Sequence, residues 1–462
     1  MVTENGGEYN FFENGNLLFS TGDMVLNEEY VHFAMVQHPN PKNVLLVSGG
    51  MAGMTAEILK YPQVSGVDVV ELNPDLVKIA RDYRREAEDP RVHSIGGDGR
   101  RYIQNTRNRY DVVIFTVPDP SSLQINRYYT DGFLRLLKEK LSDDAVVLFG
   151  LSSTGNYMTP EKGRIGASVY HTLKNHFSQV IIIPGERDYY LASEAPLTAA
   201  IGETIGKRGI TASYVNPDYI DDTSLVSRGE GIRAAVSATP LINTDRQPLP
   251  VFYHSLQFLS LYAGTPSWMM ALPLLLLLLP LLLLTPVSAG MYVTGFTASS
   301  VEVMLIFWFQ ILFGNLYATL GLIFALFMGG LAVGSLAARS KKKSKAMLIT
   351  GQLLLALYML LFPLLWRTTE LSLSGFLAWL IFLPFLLVPA LLTGFLYVAT
   401  TVNFQGPAPR AAAAVYAADL WGSALGAILV SFIMLPVFGI TTTSLILAAV
   451  NGGVILLFAR KI

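Results

Sequence analysis

The chain has 462 residues, 52% of them hydrophobic, a formal net charge of −1 and no cysteine. That is too long for one ordinary domain and too apolar for a wholly soluble protein, and the lack of thiols excludes disulfides and thiolate metal sites. The near-zero charge hides a split: all six histidines, 24 of the 33 Lys+Arg and 31 of the 34 Asp+Glu precede Ser267, so an acidic soluble part is joined to a nearly charge-free one, and neither is basic enough for nucleic acid.

From Tyr9 to Ser20 two short strands flank a Glu13-Asn14-Gly15-Asn16 turn, a hairpin signal, and a helix is expected over Glu28–Gln37. Strand-like apolar runs then alternate with helical patterns, at 43–50, 66–72, 91–98, 110–117, 144–152 and 179–185. Such alternation predicts a parallel, doubly wound α/β sheet, in which ligands sit at the carboxyl ends of the strands.

The polar and glycine residues fall at those ends. The first strand runs into Gly49, Gly50 and Gly53, where the missing Cβ allows a tight turn and close approach of a ligand to backbone N–H groups. Glu71 closes the second strand, about 20 residues on, where an acidic side chain can accept hydrogen bonds from ribose hydroxyls. Asp98-Gly99 ends the third, suited to an adenine edge, although Asp and Gly serve equally as helix caps and turn formers. The fourth ends in FTVPDPSS, placing Asp119 over the same cleft as a binder of a cationic amine or a general base, with a turn-forming Asp-Pro as the plainer reading. Asn126, Arg127, Tyr128 and Tyr129 follow as an aromatic, hydrogen-bonding stretch. Residues 243–254 (NTDRQPLPVFYH) read as an ordered final segment returning toward the cleft.

Beyond Ser267, runs near 267–289, 315–338, 346–366, 376–400, 411–438 and 441–459 are long enough to cross a membrane. A shorter one, 299–313, carries Glu302 and is expected not to cross fully. The first long apolar run begins beyond residue 260, so no secretory signal is expected at the start. The basic run from Arg339 to Lys345, with Arg410, Arg460 and Lys461, marks the cytoplasmic side by the positive-inside rule and puts the soluble part in the cytoplasm. Gly330 with Gly334 and Gly422 with Gly426 have the spacing that lets helices approach closely. Asp419 and Glu302, acidic at or near membrane depth, are transport residues, or else sit at the interface or are hydrogen-bonded inside the bundle.

The stretches NEEYVHFAMVQHP, VLLVSGGMAGMTAE, VDVVELNPDLVKIAR, DPRVHSIGGDGRRYI and YDVVIFTVPDP make residues 9 to about 195 resemble the polyamine synthase family of spermidine and spermine synthases. The resemblance implies a small N-terminal β region (1–40), a Rossmann-like, methyltransferase-type domain (41–266) and an all-α transmembrane domain (267–462) of six or seven helices. It implies transfer of an aminopropyl group from decarboxylated S-adenosylmethionine to an amine such as putrescine or another polyamine, with no metal. The membrane half is similar to relatives in which such a domain is fused to a hydrophobic one, which implies a multi-pass protein of a bacterial cell membrane that forms a homo-oligomer. Met1 falls inside the expected β region, which leaves room for a start further upstream.

Carried over, Glu71 holds the ribose, Asp98 and Gly99 the adenine, and Gly49, Gly50 and Gly53 the loop beside the sulfonium. Asp119 matches the second aspartate of the family's D-x-x-D-P motif and becomes the catalytic residue; His32, matching the Y-H-E histidine, Thr116 and Tyr129 line the substrate. Three acidic family positions are absent: Thr116 replaces the first aspartate of D-x-x-D-P, Met51 the glycine-loop aspartate and Phe33 the glutamate of Y-H-E. These losses leave two alternatives open: an S-adenosylmethionine-dependent methyltransferase on a membrane-delivered acceptor, or an inactive nucleoside-binding domain that controls a transporter.

Overall fold

The computed structural model describes residues 1–13, 15–83, 85–155, 157–260, 278–282, 284–314, 319–339, 343–369 and 376–461. The chain forms two compact units, Met1–Asp245 and Arg246–Ile462, so the division falls ahead of the residue 266 expected from hydropathy.

The first unit opens with β1 (Val2–Asn5), β2 (Glu8–Glu13) and β3 (Asn16–Ser20), an antiparallel sheet in order β1-β2-β3 that contains the expected hairpin. Helix α1 (Met24–Met35) follows, buried from Asn27 onward. The chain then alternates through β4 (Asn43–Val47), α2 (Met54–Leu59), β5 (Gly66–Glu71), α3 (Pro74–Tyr83), β6 (Val92–Gly96), α4 (Gly99–Asn105) and β7 (Tyr110–Phe115). After α5 (Leu123–Asn126) and α6 (Asp131–Lys138) come β8 (Leu141–Ser152), α7 (Pro160–Lys174), β9 (Gln179–Pro184) and β10 (Arg187–Ser193). Helices α8 (Ile201–Arg208) and α9 (Asp222–Ser237) complete it.

Strands β4 to β10 form one seven-stranded sheet in order β6-β5-β4-β7-β8-β10-β9. The pairs from β6 to β8 are parallel, with Val44 level with Val67 on one side and Val112 on the other. The expectation of a wholly parallel sheet is corrected by β10, which is antiparallel to both β8 and β9. Gly185 and Glu186 separate β9 from β10, so its seven residues read as the tail of the preceding apolar run. The strand order steps outward from β4 in opposite directions to β5 and β7, which opens a crevice at their carboxyl ends. Continuous Val, Leu and Ile runs form the strands because both faces are covered: Val44, Leu46, Val67, Val69, Val112 and Ile114 are all in the core, with Tyr30, Val31 and Phe33 of α1.

In the second unit, five helices among the described residues are long and apolar enough to cross a membrane: Pro286–Phe313, Leu320–Ala338, Lys345–Leu364, Leu377–Asn403 and Ala408–Arg460. About half of the expected run 267–289, at 267–277 and 283, lies outside the described residues. The expectation that 299–313 is a short, non-crossing segment is corrected: it is the second half of one 28-residue helix, Pro286–Phe313. Thr285 and Ser288 form a capping box there and proline follows at the first turn, so the helix starts at a defined point. The 53 residues of Ala408–Arg460 exceed twice the hydrocarbon thickness at about 1.5 Å per residue. Their path is broken where π-helical Val430–Phe438, with Pro436 inside it, meets Gly439 at φ +73.

Glycines set the closeness of packing. A Cβ at Gly422 would lie 1.9 Å from the Tyr292 carbonyl oxygen, and one at Gly334 would lie 2.0 Å from that of Leu391. Polar side chains bridge the helices as well: Gln352 Nε2 donates to Thr294 Oγ1 at 2.7 Å and Asn451 Nδ2 to Thr297 Oγ1 at 2.8 Å. Asp419 packs against Gly295, and no ion pair among the described residues involves Asp419 or Glu302.

Candidate functional site

The turn after β4 is tight and left-handed. Ser48 has φ +67, the one left-handed non-glycine among the described residues, and Gly49 and Gly53 follow at +82 and +115. A β-carbon at Gly49 would lie 2.8 Å from Met54 Sδ and 3.0 Å from Thr116 Oγ1, and one at Gly50 would lie 2.5 Å from Val69 Cγ1. Bare backbone is therefore required here. The turn is held from two sides. Asn27 Nδ2 donates to the Ala52 carbonyl at 2.7 Å, and Glu71 accepts from Ser48 Oγ and from the Gly50 N–H, both at 3.2 Å.

Glu71 is buried at the end of β5, 5% exposed. Burial pushes its carboxyl up from 4.5 to about 7, against the opposing hydrogen bonds from Gly50, Ser48 and Gly49. At the end of β6, Asp98 caps α4 by accepting from the Arg101 N–H at 3.0 Å, and its second oxygen pairs with Arg127, whose side chain is 1% exposed. The Arg127 guanidinium lies 5.0 Å from the Tyr128 ring centroid. A β-carbon at Gly99 would lie 2.8 Å from Val47 Cγ1 and 3.3 Å from Tyr128 Oη. Gly49, Gly50, Gly53, Glu71, Asp98, Gly99 and Thr116 thus converge on the carboxyl ends of β4 to β7. Thr116 donates its Oγ1–H to the Val47 carbonyl at 3.3 Å, which ties β7 to β4 beside the glycines.

Asp119 stands at the adjoining end of β8 and β10. Its Oδ1 accepts from the Ser152 N–H at 2.9 Å and from Arg187 Nη2 at 2.6 Å. Tyr129 is buried below that loop and donates to the carbonyls of Val117 and Pro118 at 3.3 and 3.0 Å, so it braces the chain around Asp119. Burial and the nearby Asp119 raise its phenol well above the usual value.

His32 is placed differently. It is fully buried between α1 and α2, with Nδ1 2.9 Å from Tyr61 Oη and Nε2 3.0 Å from Glu57 Oε2. Glu28, His32 and Glu57 bring ligand-type atoms within 4.8 Å of one another. Those atoms are already engaged: Glu28 accepts the N–H groups of Ser213, Tyr214 and Val215, and Glu57 holds Lys60 at 2.6 Å. The trio therefore acts as a structural knot that fixes α1 against its neighbours.

Neither Arg187 nor the Arg127–Asp98 pair is marked in the sequence. Arg127 reads as one of a polar stretch; Arg187 has no local motif and gains its place only through the antiparallel β10. The closing segment does return: Asp245 accepts Arg100 Nη1 and Nη2 at 2.7 and 2.9 Å and the Thr130 hydroxyl at 2.8 Å, and Asn243 pairs with Asn126.

Residues 24–156 match the model of the spermine/spermidine synthase domain. Similar curated proteins include the polyamine aminopropyltransferases of Thermococcus onnurineus, 32% identical over 32% of this chain and 53% of the relative, and of Streptococcus pneumoniae, 36% identical over 27% and 47%. The chain thus spans about half the length of these relatives. Among solved structures, a spermidine synthase in complex with the transition state analogue AdoDATO is 20% identical, with a TM-score of 0.43 over 50% of this chain and 82% of that one. Spermidine synthase from Thermotoga maritima is 18% identical, with a TM-score of 0.42 over 52% and 88%. Residues 24–156 thus match a spermine/spermidine synthase domain, and the same chain carries helices long and apolar enough to span a membrane.

Proposed function

We propose that the chain is a membrane-embedded aminopropyltransferase that takes decarboxylated S-adenosylmethionine and an amine acceptor. The observation that carries this reading is the bare glycine turn after β4 braced by Glu71, with Asp98-Gly99 beside it, inside the segment that matches the synthase domain. Glu71 would accept the ribose hydroxyls, Gly49, Gly50 and Gly53 would admit the sulfonium, and Asp98 with Gly99 would meet the adenine. Thr116 and Tyr129 would shape the acceptor side, and His32 would hold α1 under it.

The acceptor nitrogen forms a bond to the methylene next to sulfur as the carbon–sulfur bond breaks. The electron pair goes to sulfur and leaves a neutral thioether, methylthioadenosine. The proton released from nitrogen passes to Asp119, the acidic side chain at the end of β7. Full-length protein in detergent would be tested by calorimetry with decarboxylated and carboxylated S-adenosylmethionine, together with methylthioadenosine release. Binding of the carboxylated compound alone would sink the reading.

The soluble unit would face the cytoplasm. Arg339 and Lys343 follow the helix Leu320–Ala338, and the two crossings Pro286–Phe313 and Leu320–Ala338 return Thr285 to the same side; this placement takes the apolar run ahead of Thr285 as not crossing, which keeps the number of crossings between 267 and 339 even. Because the chain lacks cysteine, Tyr157→Cys, at a position 75% exposed, reports sidedness alone. A membrane-impermeant maleimide should label it in inverted vesicles and not in intact cells; the reverse pattern would refute the placement.

A further inference from the structure

The resemblance implies that three acidic positions of the acceptor side are lost here, and the structure adds charge of the other sign beside the one that stays. Thr116, Met51 and Phe33 are neutral, and Asp119, the acidic side chain left at the end of β7, is paired with the Arg187 guanidinium at 2.6 Å. Arg187 is not spent by that pair. Its Nε–H is buried without a hydrogen-bond partner, while the side chain as a whole keeps 24% exposure. The side chains packed around it from α1, the α5–α6 connection and β10 are Tyr30, Tyr129 and Tyr189, all phenols whose ionisation burial opposes. The site therefore presents the Asp119 carboxylate, one guanidinium with a donor to spare, and neutral aromatic walls; the second carboxyl nearby, Glu29, is pushed up to about 7 by burial and is already engaged by Tyr189 Oη and the Glu186 N–H.

A dication such as putrescine finds no net countercharge there and meets a fixed positive group. A ligand with a carboxylate at one end finds the donor it needs, since guanidinium and carboxylate match in charge and fork geometry. We propose that Arg187 is the specificity-determining residue of this site and that the acceptor is an amine bearing a carboxylate, a zwitterion of the ω-amino acid type; this rests on the aminopropyl-transfer reading above. The acceptor carboxylate draws Arg187 toward itself and away from Asp119. Asp119, still held by the Ser152 N–H, then turns an oxygen to the amine. Acceptor binding and exposure of the base are one event, so decarboxylated S-adenosylmethionine is not committed before the acceptor arrives.

The test uses the full-length protein in detergent, saturated with methylthioadenosine, and compares binding of 4-aminobutyrate and putrescine by calorimetry. The unmodified protein should bind 4-aminobutyrate about tenfold or more tightly than putrescine, the scale of one charge-assisted pair. Arg187→Gln should abolish that preference and Arg187→Lys should keep part of it. Asp119→Asn combined with Arg187→Gln replaces the pair with neutral groups and leaves no orphan charge, so its melting temperature separates loss of the site from loss of the fold. Equal or tighter binding of putrescine, binding of neither compound, or a preference that survives in well-folded Arg187→Gln overturns the assignment. Turnover is read separately as methylthioadenosine release. If the binding preference holds and nothing is released from decarboxylated S-adenosylmethionine, the transfer reading fails while the role of Arg187 stands.

Discussion

Glu71 offers a quantitative check on the nucleoside half of the site. Its carboxyl titrates near 7 instead of 4.5 because it is buried, against the opposing hydrogen bonds from Gly50, Ser48 and Gly49. A carboxyl raised in the folded state favours its protonated form. It adds stability that is fully present below about pH 4.5 and is lost as pH rises through 7, so apo protein becomes less stable over that window. Ribose hydroxyls need the ionised form. With a midpoint near 7, the ionised fraction falls about tenfold from pH 8 to pH 6, so nucleoside affinity should fall by the same factor, about 1.4 kcal/mol. At pH 7 about half a proton should be released for each nucleoside bound, measurable by calorimetry in buffers of different ionisation enthalpy. Glu71→Gln, which titrates nothing, should bind more weakly and with no pH slope across this range. An affinity that stays flat from pH 6 to 8 in the unmodified protein, or an equal slope in Glu71→Gln, would refute the argument.

Three other outcomes follow from the same geometry. Asp119→Asn should reduce methylthioadenosine release to background while nucleoside affinity stays within about twofold; retained turnover would exclude Asp119 as the base. Arg127→Met leaves the buried Asp98 carboxylate without its partner and should cost about 3–5 kcal/mol of stability, read as a lowered melting temperature of the soluble unit, with Asp98→Asn in the same background restoring most of it. Gly422→Leu places a side chain where even a Cβ would lie 1.9 Å from the Tyr292 carbonyl oxygen and should lower the melting temperature in detergent sharply, whereas Gly453→Leu, in open space, should leave it unchanged.

What the sequence disclosed, and what it hid, divides by chain distance. The β4 turn, Glu71 and Asp98-Gly99 were legible because each lies at the end of its own strand, where composition changes abruptly from Val and Leu to Gly and acid. The crossing segments were legible as a sum, since apolar residues dominate throughout, but their borders were not. The start of Pro286–Phe313 is marked only by its Thr285–Ser288 cap, two short polar residues inside a long apolar stretch, and Glu302 lies inside that one long helix and does not end it.

The ion pairs behave differently, because they join residues 29, 68 and 145 positions apart: Asp98 with Arg127, Asp119 with Arg187 and Arg100 with Asp245. No periodicity or motif records such a pair; topology creates it. Arg187 reaches Asp119 only because β10 runs antiparallel beside β8, which sets Arg187 level with Ser152, the residue whose N–H also binds Asp119. A one-residue slip in that register would turn Arg187 to the opposite face of the sheet and leave Asp119 with the charge its Asp-Pro motif suggests. On the proposed reading, the chemistry of the acceptor side is therefore decided by strand register as much as by the acidic residues present, and a change of substrate charge accounts for the Arg187–Asp119 pair more economically than a loss of function.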